Sequence, residues 1–93
     1  MKIEIKKFGD ILISRPAGRE AFLALLAYQL RDIAPNEPIE IDFDGVLVLS
    51  PSWADEVITP LVERNALVTL SNTDNSSVQA TLKTLREYSN LKI

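Results

Sequence analysis

Residues 39–56, IEIDFDGVLVLSPSWADE, decide how this chain folds. Ile39, Ile41 and Phe43 alternate with Glu40 and Asp42, the period of a strand with one buried face. Asp44-Gly45 then marks a turn, and Val46–Leu49 is an apolar run with no polar position. Ser50-Pro51-Ser52 opens a helix: either serine can cap it, and proline suits the first helical position. Asp-Gly between two such runs is a strong signal for a two-residue hairpin. Against a hairpin, the second run leads straight into a helix start, and a solvent-facing arm would bare Val46–Leu49.

Outward from this segment the period changes several times. Ile3 and Ile5 alternate with lysines and a glutamate, and Ile11–Ser14 forms a second short run. Lys7-Phe8-Gly9-Asp10 between them reads as a hairpin loop. From Arg19, Phe22, Leu23, Leu26, Leu30 and Ile33 fall at helical spacing with Leu25 at the margin, and Pro35 and Pro38 end the pattern. The helix after Ser50 buries Trp53, Val57 and Leu61, with Ile58 beside them. Pro60 removes a backbone donor and predicts a kink or early break. Ala66–Leu70 is a further strand. Asp74 or Asn75 caps a last helix that buries Val78, Leu82, Leu85 and Tyr88. The expected fold is therefore one α/β domain over residues 1–93, in the order β-β-α-β-α-β-α. Its sheet is mixed because of the opening hairpin, and helices pack on it.

Composition narrows the chemistry. The chain has 93 residues, a formal charge of −3, no cysteine and no histidine. Disulfides, thiolate chemistry and the commonest zinc ligands are excluded, and no metal site or cofactor is expected. No basic face suits nucleic acid. No stretch reaches the ~20 apolar residues of a membrane span, and no leader-like apolar run opens the chain, so a cytoplasmic protein is expected.

Asp42-Phe43-Asp44-Gly45-Val46 resembles the D-x-D-G-[TV] motif of haloacid-dehalogenase-type phosphatases, and Leu67–Asn72 resembles that family's strand ending in Ser or Thr plus Asn. That resemblance implies a magnesium-dependent enzyme with Asp42 as nucleophile and Asp44 as acid and base. The later lysine and paired acids of the family are missing: after Ser71 only Asp74 and Glu87 are acidic, and they are not adjacent.

A second resemblance covers more of the chain. Asp42-Phe43-Asp44-Gly45-Val46, followed in register by Ser50-Pro51-Ser52-Trp53, is similar to the central strand, loop and helix of STAS domains, which include anti-sigma-factor antagonists of bacterial partner switching. Gly18-Arg19-Glu20 and Ser52-Trp53-Ala54-Asp55-Glu56 resemble a group of STAS-like domains of unknown function. The resemblance implies a non-catalytic regulatory module that binds a protein partner, such as a histidine-kinase-like ATPase or another regulator. The implied contact residues are Asp44, Gly45, Ser50, Ser52, Trp53, Asp55 and Glu56. The serine phosphorylated in anti-sigma-factor antagonists falls on Pro51, which leaves Ser52 as the candidate acceptor, flanked by Ser50. Each residue also has a plain structural role: the serines as caps, Asp55 and Glu56 as first-turn acids on the helix dipole, Trp53 as core. Asp42 and Asp44 are expected to shape the strand end and meet solvent. Arg15 is placed in a loop beside the Ser50 corner. The oligomeric state is left open.

Overall fold

The computed structural model describes residues 1–34, 36–65 and 67–93. Among these residues five short strands and three α-helices follow in order: β1 (Lys2–Glu4), β2 (Ile11–Leu12), α1 (Arg15–Ala27), β3 (Ile39–Asp42), β4 (Val48–Leu49), α2 (Pro51–Arg64), β5 (Val68–Ser71) and α3 (Ser76–Tyr88). A single 3₁₀ turn, Ile5–Phe8, separates β1 from β2. Ala66, expected to start a strand, lies outside the described residues.

Among the described residues the three strand pairings are all parallel. β3 is central between β1 and β5, with Ile3 beside Ile41 and Ile41 beside Leu70, and β2 pairs with β4. Two sequence expectations fail here. β1 and β2 do not form a hairpin, so the sheet is not mixed, and Val46–Leu49 contributes a strand absent from the expected order. The reason lies in the two connections. After Glu4 the chain makes a 3₁₀ turn rather than reversing. After Asp42 it makes the Phe43–Val46 turn, closed by the Val46 amide donating to the Phe43 carbonyl at 3.1 Å. Gly45 stands at its third position with φ 82°, where a type II turn needs positive φ. Asp44-Gly45 is a turn, as its residues imply, but it leads from β3 in a three-stranded parallel sheet to β4 in a separate two-stranded one, not into an antiparallel return.

Strand alternation sorts the faces. Ile3, Ile39 and Ile41 are fully buried, while Lys2, Glu4, Glu40, Thr69 and Ser71 occupy the opposite face. The three helices supply the rest of the core: Leu25, Trp53, Val57, Ile58, Leu61, Val78, Leu82 and Leu85. The expected stripes of α2 and α3 are correct except for Tyr88, which is 81% exposed. α2 runs past Pro60 to Arg64, so no early break occurs.

The first helix departs from expectation in part: Leu30 is buried and Phe22, Leu26 and Ile33 pack against the core as their spacing implies. Ser14, not a residue near Arg19, caps it: its hydroxyl accepts from the Ala17 amide at 3.2 Å, and Pro16 sits in the first turn. Its buried line is Gly18, Ala21 and Leu25, and Leu23 is 56% exposed. The cause is close approach to α2. A Cβ on Gly18 would lie 2.7 Å from the Trp53 carbonyl oxygen and 3.1 Å from the Glu56 Cβ. Small residues, not the larger apolar ones, mark that interface.

Candidate partner-binding site

The amino end of α2 is built by its own sequence. The Ser50 hydroxyl accepts from the Trp53 amide at 3.2 Å and donates to the Ile13 carbonyl at 2.7 Å, so the cap is also fastened to the end of β2. Pro51 is exposed. Ser52 is half-buried, and its hydroxyl bonds to no described group. Trp53 is 1% exposed and tilts against Phe8 at 6.1 Å between ring centroids, so it is core and cannot anchor a partner.

Asp55 and Glu56 lie beyond the first helical turn, which contains no acid, so the helix dipole does not account for them. They face α1 instead. Arg15 Nη1 donates to Asp55 Oδ2 at 3.0 Å and to Glu56 Oε1 at 3.2 Å, and Arg19 approaches Glu56 at 3.8 Å. Thr59 and Ser89 also donate to Asp55 Oδ1, at 2.9 and 3.5 Å. Asp55 thus ties α1, α2 and the end of α3 together. Burial pushes its carboxyl up, but the hydrogen bonds from Arg15 and Thr59 outweigh this and leave it below the usual range. Arg15 is held above its ordinary value, first by the bond to Asp55 and then by that to Glu56. Arg15 opens α1 rather than sitting in a loop, and it is already paired with acids. The Gly18-Arg19-Glu20 and Ser52–Glu56 boxes therefore meet across one helix contact.

Asp44 and Gly45 are exposed on the bend between β3 and β4. No hydrogen bond or ion pair joins them to residues 50–56 among the described residues; Gly45 lies against the Lys6 stem, from which an added Cβ would be 3.2 Å.

Asp42 sits at the carboxyl end of β3 and is buried, contrary to expectation. Its Oδ1 accepts from Asn72 Nδ2 at 2.7 Å and from the Asp44 amide at 2.9 Å, and Lys2 Nζ lies 3.3 Å from Oδ2. The Asn72 bond, then the Asp44 amide, hold this carboxyl below its ordinary value against the opposing effect of burial, with Lys2 adding to them. Asn72 reaches it from a left-handed backbone position, φ 54°. Sequence pattern alone gave no sign that residues 30 apart would share this oxygen.

Among the described residues there is no group of three acidic side chains placed to hold a metal ion, and no helix is long and apolar enough to cross a membrane. A family model described as a STAS-like domain of unknown function (DUF4325) matches residues 20–78, from the middle of α1 to the start of α3. Comparisons with curated proteins and with solved structures gave no match.

Proposed function

Because the chain belongs to this family of STAS-like domains, we propose that it is a non-catalytic module for regulatory protein–protein contact, in the manner of an anti-sigma-factor antagonist. The partner on this reading is a histidine-kinase-like ATPase or a comparable regulator, and the contact centres on the amino end of α2. One observation carries the reading: two serines flank Pro51, and they are differently employed. Ser50 is consumed as cap and fastener, whereas the Ser52 hydroxyl, at a helix amino end, is unengaged among the described residues. Added negative charge is favoured there, and it would change the surface that a partner meets. Ser52 is accordingly the phosphoacceptor of this proposal. Asp55 and Glu56 act by shaping the corner with Arg15 rather than as free acids.

Affinity capture from the source cell with the native chain and with Ser52→Arg tests this. Recovery of a kinase-like ATPase by the native chain alone is expected, together with a mass increase of one phosphate after incubation with ATP and that partner. Equal recovery by both chains, or phosphate persisting in Ser52→Ala, overturns the site.

A magnesium-dependent phosphatase using Asp42 and Asp44 is the second reading, favoured by one feature: Asp42 ends a parallel strand beside Asn72 of the next. Hydrolysis of p-nitrophenyl phosphate that needs magnesium and vanishes in Asp42→Asn would establish it.

A further inference from the structure

Among the described residues β2 is paired on one side only. Its partner is β4, and the Asp10 and Leu12 carbonyls accept from the Val48 and Ser50 amides at 3.0 and 2.9 Å. Backbone groups alternate along a strand, so the amide and carbonyl of Ile11 point to the other, unpaired edge. That edge does not end in open solvent. It borders a groove whose far wall is α1, at Ala17, Ala21 and Ala24, and whose floor is Phe8 and Trp53. Alanine on a facing helix leaves room for a backbone to lie between. Ile11 and Ile13 stand 59% and 58% exposed along it, and Val48, beside Ile11 in register, is 40% exposed. The outer face of the β1–β3–β5 sheet is charged or hydroxylic; that of the β2–β4 pair is aliphatic. The opposite edge of the same two strands is closed by the chain itself. Ser77 accepts from the Leu49 amide at 2.9 Å, Ser77 and Thr81 donate to the Leu49 carbonyl, and Asn75 donates to the Val46 and Leu47 carbonyls. One edge is sealed and the other is left with a seat beside it.

The charge around the seat selects its occupant. Glu20 lines the groove and enters no ion pair among the described residues. Asp10, at the start of β2, is only loosely matched by Lys6 at 3.9 Å. A second copy of this chain, offering its own Asp10–Ser14 edge, would bring acid toward acid. We infer that the groove between β2 and α1 receives an extended segment of another protein, rich in aliphatic and basic residues, that adds as a strand to the free edge of β2. Main-chain bonds to Ile11 supply the seat, Ile11 and Ile13 flank the aliphatic positions, and Glu20 meets the basic ones. This groove adjoins the amino end of α2 through Trp53 in its floor, but the inference does not rest on the function proposed above.

A synthetic peptide of alternating lysine and isoleucine, titrated into the full chain and followed by amide NMR shifts, tests it, with a glutamate–isoleucine peptide as control. Shifts at Ile11, Ile13, Ala17 and Ala21 are expected, with the lysine peptide binding about tenfold tighter, a difference of ~1.4 kcal/mol. Glu20→Lys should erase most of that preference. Ala24→Leu, a tolerated change on an exposed helical position, should fill the groove and abolish binding. Ile11→Pro should do the same by removing the outward amide, which an edge strand tolerates. Equal binding of both peptides, binding undiminished in the folded Ala24→Leu variant, or no binding at all overturns the inference. So does sedimentation showing a dimer that Ala24→Leu dissolves, which would give the groove to a second copy.

Discussion

Two residues carry more of this fold than their chemistry advertises. Gly18 is needed for contact distance, since any side chain would strike the Trp53 carbonyl at 2.7 Å. Gly18→Ala is expected to cost about 1–3 kcal/mol by overpacking, despite alanine's better helix propensity, and urea denaturation would measure it. Asp42 is the other. It is buried with three partners, and replacing it by alanine strands the Asp44 amide and Asn72, a loss of about 1–3 kcal/mol. Its lowered pKa fixes the sign with pH: the stabilisation is complete above the unfolded value, about 3.9, and disappears as pH falls through the lower folded value. Stability curves of native and Asp42→Asn chains should therefore converge below about pH 4 and lie apart above it. Sequence pattern identified Asp42 as a strand-end residue but not as a buried one, because Asn72 and Lys2 reach it from other strands.

At the level of elements, what local pattern governs was readable. The buried lines of α2 and α3 follow their helical spacing, and Asn75 caps α3 by accepting from the Ser77 and Val78 amides. The first helix was legible in part: Phe22, Leu26, Leu30 and Ile33 pack on the core as their spacing implies, but Gly18 and Ala21 escaped because period-based reading weights large apolar residues. The opening hairpin was misjudged because β2 pairs with β4, some 37 residues later, and not with β1. The candidate site divides in the same way: the Ser50 cap was legible from Ser-Pro-Ser, whereas the Arg15 pairing needed α1 set beside α2. The seal on β4 is open to a direct test. Ser77→Ala should leave the Leu49 amide without a partner, speed its hydrogen exchange, and lower stability by about 1–3 kcal/mol with α3 still formed by circular dichroism.

As a whole the molecule is small, with a Cα radius of gyration of 12.0 Å, and its core is one cluster drawn from every layer. Trp53 touches that unity at a telling place, beneath α1, beside Phe8 and on the helix that carries the candidate site. Its fluorescence and the far-ultraviolet signal of the helices should therefore fall together on denaturation, with one midpoint. A fluorescence transition that precedes the loss of helix would mean that α1 detaches by itself.

The last helix has a duty besides covering leucines. Its Asn75, Ser77 and Thr81 stand where a neighbouring strand would otherwise stand. A chain cut before Asn75 would lose all three polar stoppers along with the roof, leaving the β2–β4 pair with raw flanks on both sides. Such a fragment should stack on its own kind and leave solution as fibrous material, not persist as a looser monomer.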